Sequence, residues 1–98
     1  MVDDRVYAGL RVRFDYIYDG VLRKNQEILI AECFKKEFIF QIICLSGYHA
    51  GKIQGYVRDE YGVGGSVYLG YLKKELERNF GEIIWEKLEI IDSSNSFQ

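Results

Sequence analysis

The chain has 98 residues, a net charge of −2 and a pI of about 5.4, with apolar residues at 48% and charged residues at 29%. These values describe one globular domain, too short for an enzyme with a cleft between two lobes, and exclude an intrinsically disordered chain or a general binder of nucleic-acid phosphates. No run approaches the roughly 20 apolar residues of a membrane-spanning helix. The start, Met1-Val2-Asp3-Asp4-Arg5, is acidic where a signal peptide is basic and then apolar, so a cytoplasmic location without membrane contact is expected.

Tyr7 to Tyr18 alternates: Leu10, Val12, Phe14 and Tyr16 share one parity and Arg11, Arg13 and Asp15 the other, as in a strand with one face buried and one wet. Asp19-Gly20 supplies a tight hairpin turn. Val21 to Asn25 is polar and reads either as the start of the return strand or as a loop, and the apolar signal resumes at Glu27 to Cys33 as strand two. Lys35-Lys36-Glu37 interrupts it. Phe38 to Leu45, the most apolar stretch, reads as the central strand, covered on both faces. Pairing of the two runs about Lys35 and Lys36 would set Cys33 opposite Phe38 and Cys44 opposite Glu27, too far apart for the roughly 7 Å Cα separation that a disulfide tolerates. Both cysteines therefore read as reduced, buried apolar groups.

Ser46-Gly47-Tyr48-His49-Ala50-Gly51 holds the only histidine and reads as a tight reversal, with Gly47 or Gly51 at positive φ and Tyr48 and His49 facing outward. Lys52 to Val57 alternates as a fourth strand, and Asp59 to Gly65 reads as a glycine-rich loop. From Ser66 the period changes. Leu69, Leu72, Leu76 and Phe80 fall on one stripe of a helix, capped by Ser66 or, alternatively, preceded by a short strand through Val67-Tyr68-Leu69 and starting near Gly70. Gly81 suits the helix exit, and Ile83 to Ile91 reads as the last strand. The expected fold is a single α+β domain over residues 1–98: a curved, mainly antiparallel sheet of about five strands with one helix from the C-terminal half packed on it. The ordered core runs from about residue 6 to 91, with tails at 1–5 and 92–98, and a small half-open β-barrel is the alternative architecture.

The chemistry-bearing residues are sparse. One histidine and two separated cysteines cannot supply a zinc site, and no G-x-S-x-G elbow or Gly-Lys-Ser/Thr phosphate loop is present. Gly62-Val63-Gly64-Gly65-Ser66-Val67 imitates a dinucleotide fingerprint but ends in Val67 where close helix packing needs glycine, and reads as a plain loop. The carboxylate pairs Asp59-Glu60 and Glu75 with Glu77 read as solvated. Arg11 and Arg13 with Tyr16 and Tyr18 imitate an RNA-binding sheet, yet Tyr16 shares parity with the apolar side. No catalytic residue, cofactor, metal or small-molecule ligand is expected, and His49 has no identifiable partner for general-base work. Acid and aromatic side by side, as in Asp59-Glu60-Tyr61, suit docking on a basic pocket of another protein.

Four blocks of the chain, Gly9-Leu10-Arg11-Val12-Arg13-Phe14-Asp15, Ile28-Leu29-Ile30-Ala31-Glu32, Ser46-Gly47-Tyr48-His49-Ala50-Gly51 and Tyr68-Leu69-Gly70-Tyr71-Leu72-Lys73, resemble the successive blocks of immunity protein family 45. That family is attached to bacterial polymorphic toxin and contact-dependent growth inhibition systems. The resemblance spans about residues 9 to 91, with Tyr71 and Leu76 standing where the family's helix carries tryptophans and Phe80-Gly81-Glu82 where a proline-bearing turn follows. It implies a small cytoplasmic protein, not an enzyme, that binds and neutralises the toxin domain produced beside it. Nuclease toxins present basic clefts, so the expected partner of an acidic inhibitor is a cognate C-terminal toxin domain with nuclease activity. The expected partner-binding face is Tyr48, His49, Tyr56, Asp59, Glu60 and Tyr61. A small nucleic-acid-binding or regulatory sheet domain is the alternative function.

Overall fold

Alternation of apolar and polar residues dominates this chain, and strands dominate its fold. The structure, a computed structural model, describes residues 5–91. In chain order the elements are β1 (Arg5–Tyr7), β2 (Arg11–Tyr18), β3 (Val21–Glu32), β4 (Phe38–Cys44), β5 (Ile53–Arg58), a 3₁₀ turn (Asp59–Tyr61), β6 (Gly62–Val63), β7 (Ser66–Tyr68), α1 (Leu69–Phe80) and β8 (Glu82–Ile91). Five strands form an antiparallel sheet in the order β5-β4-β3-β2-β8, and β1-β7-β6 form a small second sheet. The large sheet has two edges, β5 and β8, and does not close into a barrel. The architecture is the expected α+β arrangement, with α1 packed on the sheet.

One face of the large sheet holds the core. Val12, Phe14, Ile28, Ile30, Phe40, Ile42, Cys44 and Val57 point from it toward Leu72, Leu76 and Phe80 of α1 and toward Val6 and Val67 of the small sheet. The Phe80 ring meets Phe14 edge-on at 5.1 Å and Tyr16 at 5.3 Å, which anchors the C-terminal turn of the helix. Helix termination follows from Gly81, whose φ of 123° and 2.6 Å spacing between an added Cβ and the Ile17 carbonyl oxygen leave no room for a side chain. Among the described residues no helix is long and apolar enough to cross a membrane.

Several expectations need correction. The run from Tyr7 to Tyr18 is two strands, because Gly9 at φ 96° turns the chain from β1 in the small sheet to β2 in the large one. Val21–Glu32 is a single twelve-residue strand that begins directly after the Asp19-Gly20 turn, so the polar stretch is strand and not loop. It is β3, not the run after it, that occupies the sheet centre. Only one face of β4 is buried: Phe40, Ile42 and Cys44 enter the core, while Gln41 and Ile43 stay half-exposed because no second layer covers them. Within the β3–β4 ladder Cys44 faces Ile28, one residue from the expected Glu27, because Glu37 adopts the left-handed region at φ 76° and lengthens the turn. The slip puts both side chains on the core face. Cys33 and Cys44 are free thiols.

The glycine-rich stretch after Asp59 is also more ordered than a loop. Gly64 and Gly65, at φ 59° and 81°, make the two-residue turn of a hairpin between β6 and β7. Ser66 lies buried in β7 and does not cap α1, whose first turn follows Tyr68 without a side-chain cap. The alternative reading, a short strand before the helix, holds. Of the tails expected at residues 1–5 and 92–98, Arg5 instead begins β1, paired with Tyr68, and the rest lie outside the described residues.

Candidate functional site

β3 is longer than its neighbour on one side, and that mismatch opens a concave feature in the surface. Its residues 28–32 pair with β4, but β4 ends at Cys44 and the chain turns back toward β5. Gly47 and Gly51, at φ 79° and 88°, make this reversal possible, and the Gly51 amide closes it by donating to the Cys44 carbonyl at 2.7 Å. Tyr48 and His49 project outward from its tip with their rings edge-on at 5.1 Å. Beyond the end of β4 opens a groove of about 820 Å³. Its floor is Tyr16, Tyr18 and Arg23 on β2 and β3. Its walls are Gly47 to His49 on one side and Asn79 and Phe80 of α1 on the other.

Amides and hydroxyls fix the walls. The Glu27 amide donates to Ser46 Oγ at 2.8 Å, and that hydroxyl donates to the Asn25 carbonyl at 3.3 Å, so a side chain takes over where the β4 main chain leaves off. Buried Gln26 donates through Nε2 to the carbonyls of Glu27 and Ser46, both at 3.0 Å. Its Oε1 lies 2.9 Å from where a Cβ on Gly47 would sit. On the opposite wall Asn79 Nδ2 donates to the Glu75 carbonyl at 2.7 Å and lies against Gly55, where a side chain would collide with it.

The groove has a charge of its own. Arg23 and Lys24 line it, with His49 at its rim, and among the described residues no carboxylate does. On a chain of net charge −2 this is a local reversal of sign. Tyr18 is 59% exposed and Tyr48 95% exposed, leaving two aromatic rings in water beside the cations. A second depression, about 640 Å³ on the outer face, shares Lys24 with the groove and sets Arg13, Lys24 and Lys87 against Asp15 and Glu89, so carboxylates offset most of its positive charge.

The expected partner-binding residues are distributed along β5. Tyr48 and His49 precede it at the groove. Tyr56 lies on it, its ring 5.0 Å from Phe38 and 4.7 Å from the Lys35 ammonium. Asp59 and Glu60 follow it, exposed in the 3₁₀ turn, with Glu60 paired to Arg58 of the preceding strand end. At about 3.3 Å per residue the two ends of β5 are about 17 Å apart, and the residues that flank it lie about 20 Å or more apart. The residues therefore form a strip and not a cluster, and half of its acidic charge is answered by Arg58. The Tyr61 side chain lies outside the described ones.

The remaining chemistry is structural. Arg13 Nη2 and Nε, at 2.8 and 3.1 Å, both donate to Glu27 Oε1, which holds the guanidinium above its already high ordinary range. Arg11 stands 4.0 Å from the other Glu27 oxygen, so the arginines of the imagined RNA-binding sheet are engaged with a carboxylate. Burial pushes the Cys44 thiol up, away from the reactive thiolate. Glu75 faces the core and pairs with Arg78 at 3.4 Å, while Glu77 is exposed on another face, so the two do not act together. Among the described residues no group of three metal-binding side chains converges.

Sequence reasoning missed Arg23, Lys24 and Gln26. The available signal was the polar, charged run directly after Asp19-Gly20, where a return strand ought to resume an apolar alternation. No family model, no curated protein and no solved structure matches the chain.

Proposed function

We propose that this chain is a binding protein that works by contact with another protein. In line with the resemblance to immunity protein family 45, its partner is a cognate bacterial toxin domain, neutralised in the cytoplasm. The observation that supports this reading is the strip along edge strand β5: exposed Tyr48 and His49 at one end, half-buried Tyr56 between, and exposed Asp59 and Glu60 at the other. A strip of about 20 Å fits inside a standard interface of about 800 Å² per partner. It sits on an antiparallel scaffold whose rings and turn glycines are already fixed, so little ordering cost falls on association. Its acidic end suits the basic cleft of a nuclease. The nucleic-acid alternative loses support from the pairing of Arg11 and Arg13 with Glu27.

The test is co-expression with the toxin domain encoded in the adjacent reading frame. Growth rescue together with a one-to-one complex by light scattering is the expected result. Replacing Asp59 and Glu60 by lysine should then raise the dissociation constant about tenfold in calorimetry. An unchanged constant removes this end of β5 from the interface, and absence of any complex removes the reading.

A further inference from the structure

We propose that the groove is a strand-acceptor site: a short, extended, acidic segment of the partner protein adds to β3 along residues 21–24, in the space that β4 vacates. The inference rests on the reading of this chain as a protein-binding module, and names how one part of the partner is held.

The main chain makes the first argument. β3 pairs with β2 along both of its halves, yet on its other edge the ladder with β4 ends at Ser46, whose hydroxyl occupies the Glu27 amide and the Asn25 carbonyl. In the two-residue Asp19-Gly20 hairpin the flanking pair, Tyr18 and Val21, exchange hydrogen bonds, and the N–H and C=O of the next residue, Leu22, point away from β2. They face the open edge. Val21, Leu22, Arg23 and Lys24 are all exposed, and among the described residues no strand pairs with them on that side. An unsatisfied strand edge beside a groove is what an incoming extended peptide uses, its main chain supplying affinity and its alternate side chains entering the groove beside Tyr16 and Phe80.

Charge makes the second argument and selects the occupant. Arg23 and Lys24 border the edge and among the described residues no carboxylate lines the groove, so an acidic segment is favoured and a basic one repelled. A second copy of this chain is a poor occupant: the same edge of two copies would set Arg23 and Lys24 against their equivalents. The other long edge, β8, is blunted. Between Glu89 and Ile84 it advances five residues while β2 advances two, from Arg13 to Asp15, and Glu86 and Lys87 lie exposed in that bulge.

The experiment uses the full chain, isotope-labelled, titrated with the blocked hexapeptide Val-Asp-Val-Asp-Val-Asp and with its counterpart carrying Lys for Asp. Expected are amide shifts at Leu22, Arg23, Lys24 and Tyr48, slower exchange of the Leu22 amide, and no response to the lysine peptide. R23E/K24E should weaken binding at least about tenfold. Leu22→Pro removes one edge N–H that carries no bond in the hairpin, and should abolish binding while the charges remain. Silence up to about 2 mM acidic peptide, a weaker limit than any specific contact, overturns the proposal. So do equal binding of both peptides, undiminished binding by a folded Leu22→Pro or R23E/K24E variant, and groove shifts induced by hexathymidylate but not by the peptide. No toxin enters this titration. A toxin complex that survives R23E/K24E beside a silent peptide would overturn the groove assignment alone.

Discussion

The two halves of β3 belong to one strand and live in different environments. From Gln26 to Glu32 the strand pairs with β2 up to Leu29 and with β4 from Ile28 to Glu32, and Ile28 and Ile30 are wholly buried. From Val21 to Asn25 its only strand partner is β2, the Asn25 carbonyl alone reaching Ser46 Oγ, and every residue is exposed. The change comes at Asn25, whose φ of 58° bulges the strand, and at Ser46, which closes the ladder. A strand becomes scaffold or edge according to the length of its neighbour, and the stable half holds the open half in a fixed geometry.

The comparison breaks most visibly by truncating each half. Ile28→Ala should cost about 2–5 kcal/mol in denaturant unfolding, since it removes a fully buried side chain from a packed site. Leu22→Ala should stay within about 0.5 kcal/mol of the parent. Equal losses would mean that the exposed half is packed against something, and the strand-acceptor reading would fall with that result.

The boundary itself is the next target. Gly47→Ala places a β-carbon in the left-handed region and 2.9 Å from Gln26 Oε1, which should cost about 1–2 kcal/mol and free the Gln26 amide from the Ser46 carbonyl. Gly51→Ala meets no atom within 4 Å, so it carries the backbone cost without the collision. Comparing the two melts separates them. Ser46→Ala should cost about 1 kcal/mol, because the Glu27 amide loses its acceptor. Hydrogen exchange at Glu27 reports it directly.

These contrasts also show what the sequence made legible. The parity of Val12 and Phe14, the Asp19-Gly20 turn, the two turn glycines and the Leu72-Leu76-Phe80 stripe are local periodicities, and each specified its element. Strands of two and three residues such as β6 and β7 are too short to show a period, so their hairpin read as a loop. Residues in bulged or left-handed backbone, Asn25 and Glu37, shift pairing by a residue and leave no mark in hydropathy. The groove was less legible still. Arg23 and Lys24 become a site only because β4 stops at Cys44 and α1 brings Asn79 and Phe80 across, which are tertiary facts.

The smallest effect tests the boundary from the buried side. Cys44 ends β4 opposite Ile28, and burial raises its thiol above the ordinary range. Below that range, at about pH 7, the folded and unfolded chains both hold the proton, and the stability that Cys44 contributes is fully present. As pH rises through about 8.5, the unfolded chain releases its proton while the folded chain keeps it, so stability falls until the raised folded value is passed. Cys44→Val cannot titrate. The difference between parent and Cys44→Val in urea midpoint should therefore move against the parent from about pH 7 to about pH 10. Cys44 borders the inner end of the groove, and a difference that stays flat would mean that groove water solvates its thiol and that the closed half of the sheet begins only beyond it.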